Sequence, residues 1–247
     1  MYIEKFWLNS VNGKSLYYPA AGDDMREAIS VFSGHVSKFY FCDLKYPIEI
    51  ESRLTRCFDL PARFSYTPSS LIWKGNIRAE LEDRYDESNR RYRWLDPSSV
   101  TCTYSEKEGR QIRITYRRGF GQMGLSALTA PELGVFMHRG DSAGEGGSGV
   151  WYLSNKKKRF QPLSTLFDLI VSRAGNSLVI VSDGSNAAVT ELRRYSRSNM
   201  HGSEIYKQIR GTTFERYGFV WRCIGWMQPR YGPTLVWGLR RNSPSAA

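Results

Sequence analysis

Long apolar runs, paired cysteines and clustered histidines are what this 247-residue sequence lacks. No stretch approaches the ~18 consecutive apolar residues of a membrane-crossing helix. The start, Met1 to Asn9, shows none of the charged, apolar and small-residue regions of a secretory signal. The expectation is a soluble, cytoplasmic protein. Cys42, Cys57, Cys102 and Cys223 form no C-x-x-C pair, and His35, His138 and His201 stand far apart. Those spacings exclude the common zinc sites and a disulfide-dense scaffold, so no metal site is expected and the thiols read as buried and reduced. A Walker loop is missing too, because G-x-x-x-x-G-K-[ST] is nowhere matched.

Acidic residues are scarce in one half only. Residues 1–100 carry 14 basic and 14 acidic side chains, whereas residues 101–247 carry 21 and 10, which is the whole formal charge of +11. A basic half of this kind attracts polyanions through its summed field, so residues 101–247 are the expected contact region for nucleic acid or another polyanion. Hydrophobic residues at 41% and aromatics at 14% are those of a folded chain with a core, not of a disordered one.

Two segments alternate strand and helix signals. Ser15–Pro19 reads as a short strand ended by its proline, and Ala20–Asp24 as the turn after it. Met25, Ala28, Ile29 and Phe32 then fall on one helical face, with Asp24 and Glu27 spaced as a capping box. Val36–Cys42 is a second strand ending at Asp43, and a further helix is expected over 50–58. Strand, helix and strand at this spacing form a βαβ unit, which implies parallel pairing. In the second segment Leu133–His138 is an apolar strand, 163–174 a helical stripe and Ser177–Ser182 a buried strand. A basic helix is expected over 189–197. Residues 219–226 and 234–239 form an aromatic hairpin. Residues 61–117 are β-rich (77–81, 100–104 and 112–116) and read as an antiparallel insertion or side sheet within a single domain spanning 1–247.

Open α/β sheets bind ligands at the carboxyl ends of their strands. The ends nominated here carry Gly22, Asp43, the loop from Arg139 to Gly149, and Asp183. Asp43 lies 21 residues after Gly22, the spacing from a glycine turn to an acid that accepts hydrogen bonds from ribose hydroxyls. Asp23 and Asp24 place negative charge where a pyrophosphate would otherwise sit on a helix N-terminus. That charge disfavours dinucleotides and favours a ligand bearing ammonium and sulfonium groups. The glycine-rich loop adds Asp141, Ser142 and Glu145, which together with Asp183 are the candidate catalytic groups. Lys156, Lys157, Lys158 and Arg159 follow it as candidate anion contacts.

A glycine-containing turn after the first strand, an acid ending the second, later parallel strands and a terminal antiparallel hairpin resemble the class I S-adenosylmethionine-dependent methyltransferases. The resemblance covers the chain outside 61–117. It implies a Rossmann-like α/β fold with a mostly parallel sheet, S-adenosylmethionine as cofactor, and Tyr18, Ala20, Gly22, Asp23 and Asp43 around it. The family carries several glycines in its first loop, where this chain has Gly22 alone. Two other classes fit the same residues: a non-catalytic nucleotide or nucleic-acid binding module, and a Mg²⁺-dependent phosphohydrolase using the carboxylates.

Overall fold

The computed structural model describes residues 1–19, 21, 24–43, 70–74, 99–105, 109–118, 132–139, 166–184, 187, 189–196, 198–229 and 232–242. The helix expected over 50–58, the strand expected over 77–81 and the loop 140–149 lie outside them. The first βαβ unit forms where the apolar pattern places it. Strand β2 (Ser15–Pro19) leads into helix α2 (Met25–Phe32) and back to β3 (Lys38–Asp43). Strands β2 and β3 are parallel, with Leu16 opposite Phe39 and Pro19 opposite Cys42. All of Met25, Ala28, Ile29 and Phe32 are buried, as a helical stripe laid on a sheet requires.

Strands β4 (Ser70–Lys74), β5 (Ser99–Ser105), β6 (Gln111–Arg118) and β7 (Leu133–His138) follow. Helix α3 (Leu166–Arg173) then passes directly into β8 (Ala174–Ser182). Helix α3 therefore stops before Gly175, and that glycine belongs to the strand. Arg241 donates to the carbonyls of Val171 and Ala174 at this junction. The chain ends with α4 (Thr190–Arg193), α5 (Gly202–Ile209), β9 (Thr213–Arg216), β10 (Phe219–Met227) and β11 (Thr234–Arg241). At the N-terminus β1 (Tyr2–Ile3) and α1 (Lys5–Ser10) precede β2.

These strands make one sheet in the order β1-β10-β11-β8-β7-β2-β3-β6-β5-β4, with β9 also on β10. Four pairings are parallel (β2–β3, β2–β7, β3–β6, β7–β8). Six are antiparallel, which makes the sheet mixed and corrects the expectation of a mostly parallel one. The difference lies in the additions at both ends. Strands β1, β9, β10 and β11 extend one side, and β5 and β4 the other. Strand β6 departs from the antiparallel reading of 61–117, because it pairs parallel with β3 while only its other edge meets β5 antiparallel. Its alternation of buried Ile112, Ile114 and Tyr116 with outward residues reports a buried face, not the direction of a neighbour.

Each face of the sheet has its own core. Trp7, Leu16, Tyr18, Phe32, Phe39 and Ile114 cluster on the side of α1 and α2. Tyr17, Phe136, Ile180, Trp221, Trp237 and Ile205 cluster on the side of α3 to α5. Strand β2, buried along its whole length, feeds both. The outer edge of β10 is covered in two pieces, β9 beside Phe219–Arg222 and β1 beside Gly225–Trp226. Among the described residues the exposed strands on this side are β1, two residues long, and β9, four residues carrying Glu215 and Arg216, and short or charged edges resist pairing with other chains.

The β9–β10 hairpin turns through Tyr217 (φ +54°) and Gly218 (φ +74°). Two successive left-handed residues are the primed turn that hairpin twist favours, and Asn-Gly is its preferred pair. Tyr217 is 45% exposed, and a non-glycine residue at positive φ carries a conformational cost. Replacing it with Asn is expected to raise stability by about 0.5–1 kcal/mol in urea melts.

Candidate functional site

The chain visits its parallel strands in an order that reverses direction. From β2 it moves outward to β3 and then β6, and it returns to β2's other side for β7 and β8. The reversal point lies between β2 and β7, and in doubly wound sheets ligands bind outside the carboxyl ends of the strands at such a point. Register fixes which residues line that edge. Pro19 is opposite Cys42, so the turn after β2 stands beside Asp43. His138 is opposite Ser182, so Arg139 and Asp183 leave adjacent strands side by side. Asp43 and Asp183 thus stand on either side of the reversal point, about 14 Å apart across three strand spacings of ~4.8 Å.

An ion pair closes the middle of this edge. Arg139, one residue past β7, turns its guanidinium onto Asp24, one residue before α2. Its Nε donates to Asp24 Oδ2 at 2.9 Å, and its Nη2 donates to Oδ1 at 3.0 Å and Oδ2 at 2.8 Å. The same Nη2 meets Glu27 Oε2, and Nη1 donates to the carbonyl of Gln228 at 3.1 Å. Tyr18 completes the set, its hydroxyl donating to Asp24 Oδ2 at 2.7 Å. The Arg139 side chain is 1% exposed and that of Asp24 14%.

Electrostatics follow from that burial. Desolvation is the strongest influence on Arg139 and pulls its pKa down, but Asp24, Tyr18 and Glu27 outweigh it and the net shift is upward. Burial, and next Asp24, push the Tyr18 hydroxyl far above the phenol range, so it remains a neutral donor. Two carboxylates share one guanidinium, which leaves an excess negative charge on this trio.

Asp24 is the residue whose role the chain's local pattern misassigns. Its side chain makes no hydrogen bond to the α2 backbone, so the capping box expected with Glu27 does not form; both carboxylates turn to Arg139 instead. The only hint of this in the sequence is a lone arginine directly after an apolar strand. Of the other site residues, Tyr18 is buried near the end of β2, Asp43 is the last residue of β3, and Asp183 is buried directly after β8. Ser182 Oγ accepts from the Gly184 amide there. Gly184 itself has φ +75°, and a Cβ on it would lie 2.2 Å from the Leu192 carbonyl oxygen. Ala20, Gly22, Asp23, Asp141, Ser142, Glu145 and Lys156 to Arg159 lie outside the described residues. Among the described residues no group of three or more His, Cys, Asp or Glu is placed to hold a metal ion. None of their helices is long and apolar enough to cross a membrane.

Fold and edge together define an α/β protein with a mixed sheet whose parallel strands reverse their winding between β2 and β7. Among solved structures the chain is similar to a crystal structure described as an rRNA methylase from Streptococcus thermophilus. The two share 12% identity over 97% of this chain and 94% of that one, with a TM-score of 0.36. No family profile and no curated protein matches the sequence.

Proposed function

We propose that this chain is an S-adenosylmethionine-dependent methyltransferase of the Rossmann-like kind, or a relative that keeps the cofactor pocket. The observation that carries the reading is the strand order, β6-β3-β2-β7-β8 in parallel, with the antiparallel β11 next to β8 and β10 beyond it. The parallel part is a doubly wound arrangement with the first βα turn at the switch point, and the last two strands supply the C-terminal hairpin of the resembled family.

The donor set fits this cofactor. Asp43, at the tip of the second parallel strand, offers a carboxylate to ribose hydroxyls. The Asp24–Glu27–Arg139 trio, with its excess negative charge, suits ammonium and sulfonium groups better than a diphosphate. Tyr18, Ala20, Gly22 and Asp23 belong to the strand end and turn that would cradle the ligand. When bound, S-adenosylmethionine supplies an activated methyl group, and transfer asks mainly for alignment of donor and acceptor. Asp141, Ser142 and Glu145 follow Arg139 along the chain and, with Asp183, are the groups we assign to the acceptor side. Lys156 to Arg159 and the basic balance of residues 101–247 favour an anionic acceptor, nucleic acid among them. We take residues 1–247 as one domain, in which the part of 61–117 that forms β4 and β5 is an elaboration beyond β6 and β6 itself belongs to the parallel set.

Calorimetry with S-adenosylmethionine tests the reading directly. Binding is expected, and Asp43→Ala should weaken it about ten-fold or more through loss of hydrogen bonds to a charged acceptor. Absence of binding heat at about 1 mM ligand would sink the proposal.

A further inference from the structure

Arg139 links more of the chain than an ion pair needs in order to stabilise it. From the end of β7 it holds the N-terminus of α2 through Asp24 and Glu27, and the chain leaving β10 through the Gln228 carbonyl. The Tyr18 hydroxyl on Asp24 ties the span from 18 to 24 end to end. Within that span the Asp24 amide donates to the Ala21 carbonyl at 2.8 Å, and the Ala21 amide reaches across to the Cys42 carbonyl at 3.4 Å. Burying a guanidinium against a carboxylate is seldom the most stabilising choice, since apolar side chains of similar volume commonly do as well or better. What such a network can supply is one defined arrangement of the groups it joins, here Tyr18, Asp24 and Glu27 around the end of β2 and the start of α2.

We propose that Arg139 is a positioning residue for a ligand at this edge of the sheet: acting through Asp24 and Tyr18, it holds the end of β2 and the N-terminus of α2 in the arrangement that binds an adenosine-type cofactor. Arg139 does this without contacting the ligand, because its Nε, Nη1 and Nη2 are directed at Asp24, Gln228 and Glu27. The inference rests on the S-adenosylmethionine reading above and names a residue that the pattern of that reading does not include.

The experiment uses the full chain and four variants: Arg139→Gln, Asp24→Asn, their double, and Arg222→Gln. The last breaks the Arg222–Glu4 pair between β10 and the N-terminal segment, whose arginine is 40% exposed. Dissociation constants for S-adenosylmethionine are measured by calorimetry at a temperature where near-ultraviolet circular dichroism shows each variant folded. Arg139→Gln and Asp24→Asn should each weaken binding about ten-fold or more, and the double should be no more than about two-fold worse than the weaker single, as for partners in one network. Arg222→Gln should leave affinity within about two-fold of wild type even where its melting temperature falls. Wild-type-like affinity in folded Arg139→Gln, losses that multiply in the double, or an equal loss in Arg222→Gln would each overturn the positioning role. If Arg139→Gln does not fold, Arg139→Lys, which keeps the charge of the trio and loses the bidentate contact with Asp24, takes its place with the same ten-fold loss expected. A wild-type chain that binds no S-adenosylmethionine refutes the cofactor reading and the positioning role with it. Wild-type binding with unaffected variants refutes the positioning role only.

Discussion

Replacing Arg139 by Met lowers the unfolding free energy by about 3–5 kcal/mol, read from the midpoint of a urea melt at neutral pH. The loss comes from what is left behind, because the Asp24 carboxyl group, 14% exposed, loses the guanidinium that chelates it. Glu27 then faces Asp24 as a like charge, and the Gln228 carbonyl loses its donor. Removing Asp24 as well should reverse much of this. The double Asp24→Leu, Arg139→Met takes out both members of the principal pair, and apolar replacement of a whole buried pair is often neutral or stabilising. A double variant less stable than Arg139→Met alone would show that the pair is not the source of the loss. The stability reading is separate from ligand affinity, so the two roles of this residue are measured by different experiments.

Trp221→Ala should cost about 3–5 kcal/mol, the range for emptying the site of a fully buried large aromatic. Among the described residues Trp221 is the largest side chain with no exposed surface, set in the core on the α3–α5 face. Phe214 stacks on it with ring centroids 5.4 Å apart, and its indole N–H donates to the Arg216 carbonyl at 3.1 Å. Both partners lie on β9, so the truncation loosens the edge strand as well as opening a cavity. Hydrogen exchange should accordingly speed up across Thr213–Arg216 before it does so in β2 or β7. A variant with unchanged melting behaviour would mean that the β9 hairpin docks independently of this ring.

The elements legible in the sequence share one property: their partners do not need to be known. Ser15–Pro19 and Leu133–His138 form with the bounds their apolar runs suggest, because a strand buried on both faces has no polar alternation to blur its ends. Met25–Phe32 forms because a 3.6-residue stripe has one consistent solution against any sheet. Helix α5 and strand β9 escape notice for local reasons. The N-cap of α5 is His201, whose Nδ1 accepts from the Ser203 amide while Glu204 returns a bond to the His201 amide. A capping box built on histidine does not match the usual Ser or Thr signal. Strand β9 is four mostly exposed residues and carries no alternation to detect. The helix expected over 189–197 shortens to the single turn Thr190–Arg193.

Composition and pattern alone determined an α/β chain, its first βαβ unit, the strand ends that meet at one edge, and the location of the excess positive charge. Those properties follow from side-chain periodicity and turn chemistry within a few residues. Only the tertiary structure decided the direction of β6, the mixed character of the sheet and the use made of Asp24. Each depends on which distant segment arrives alongside. Arg139 lies 115 residues from Asp24, and a carboxylate that reads locally as a helix cap becomes half of an ion pair once a buried guanidinium reaches it. A charge-assisted, chelated bond in a desolvated site outweighs a single cap to a backbone amide, and no window along the chain contains both partners.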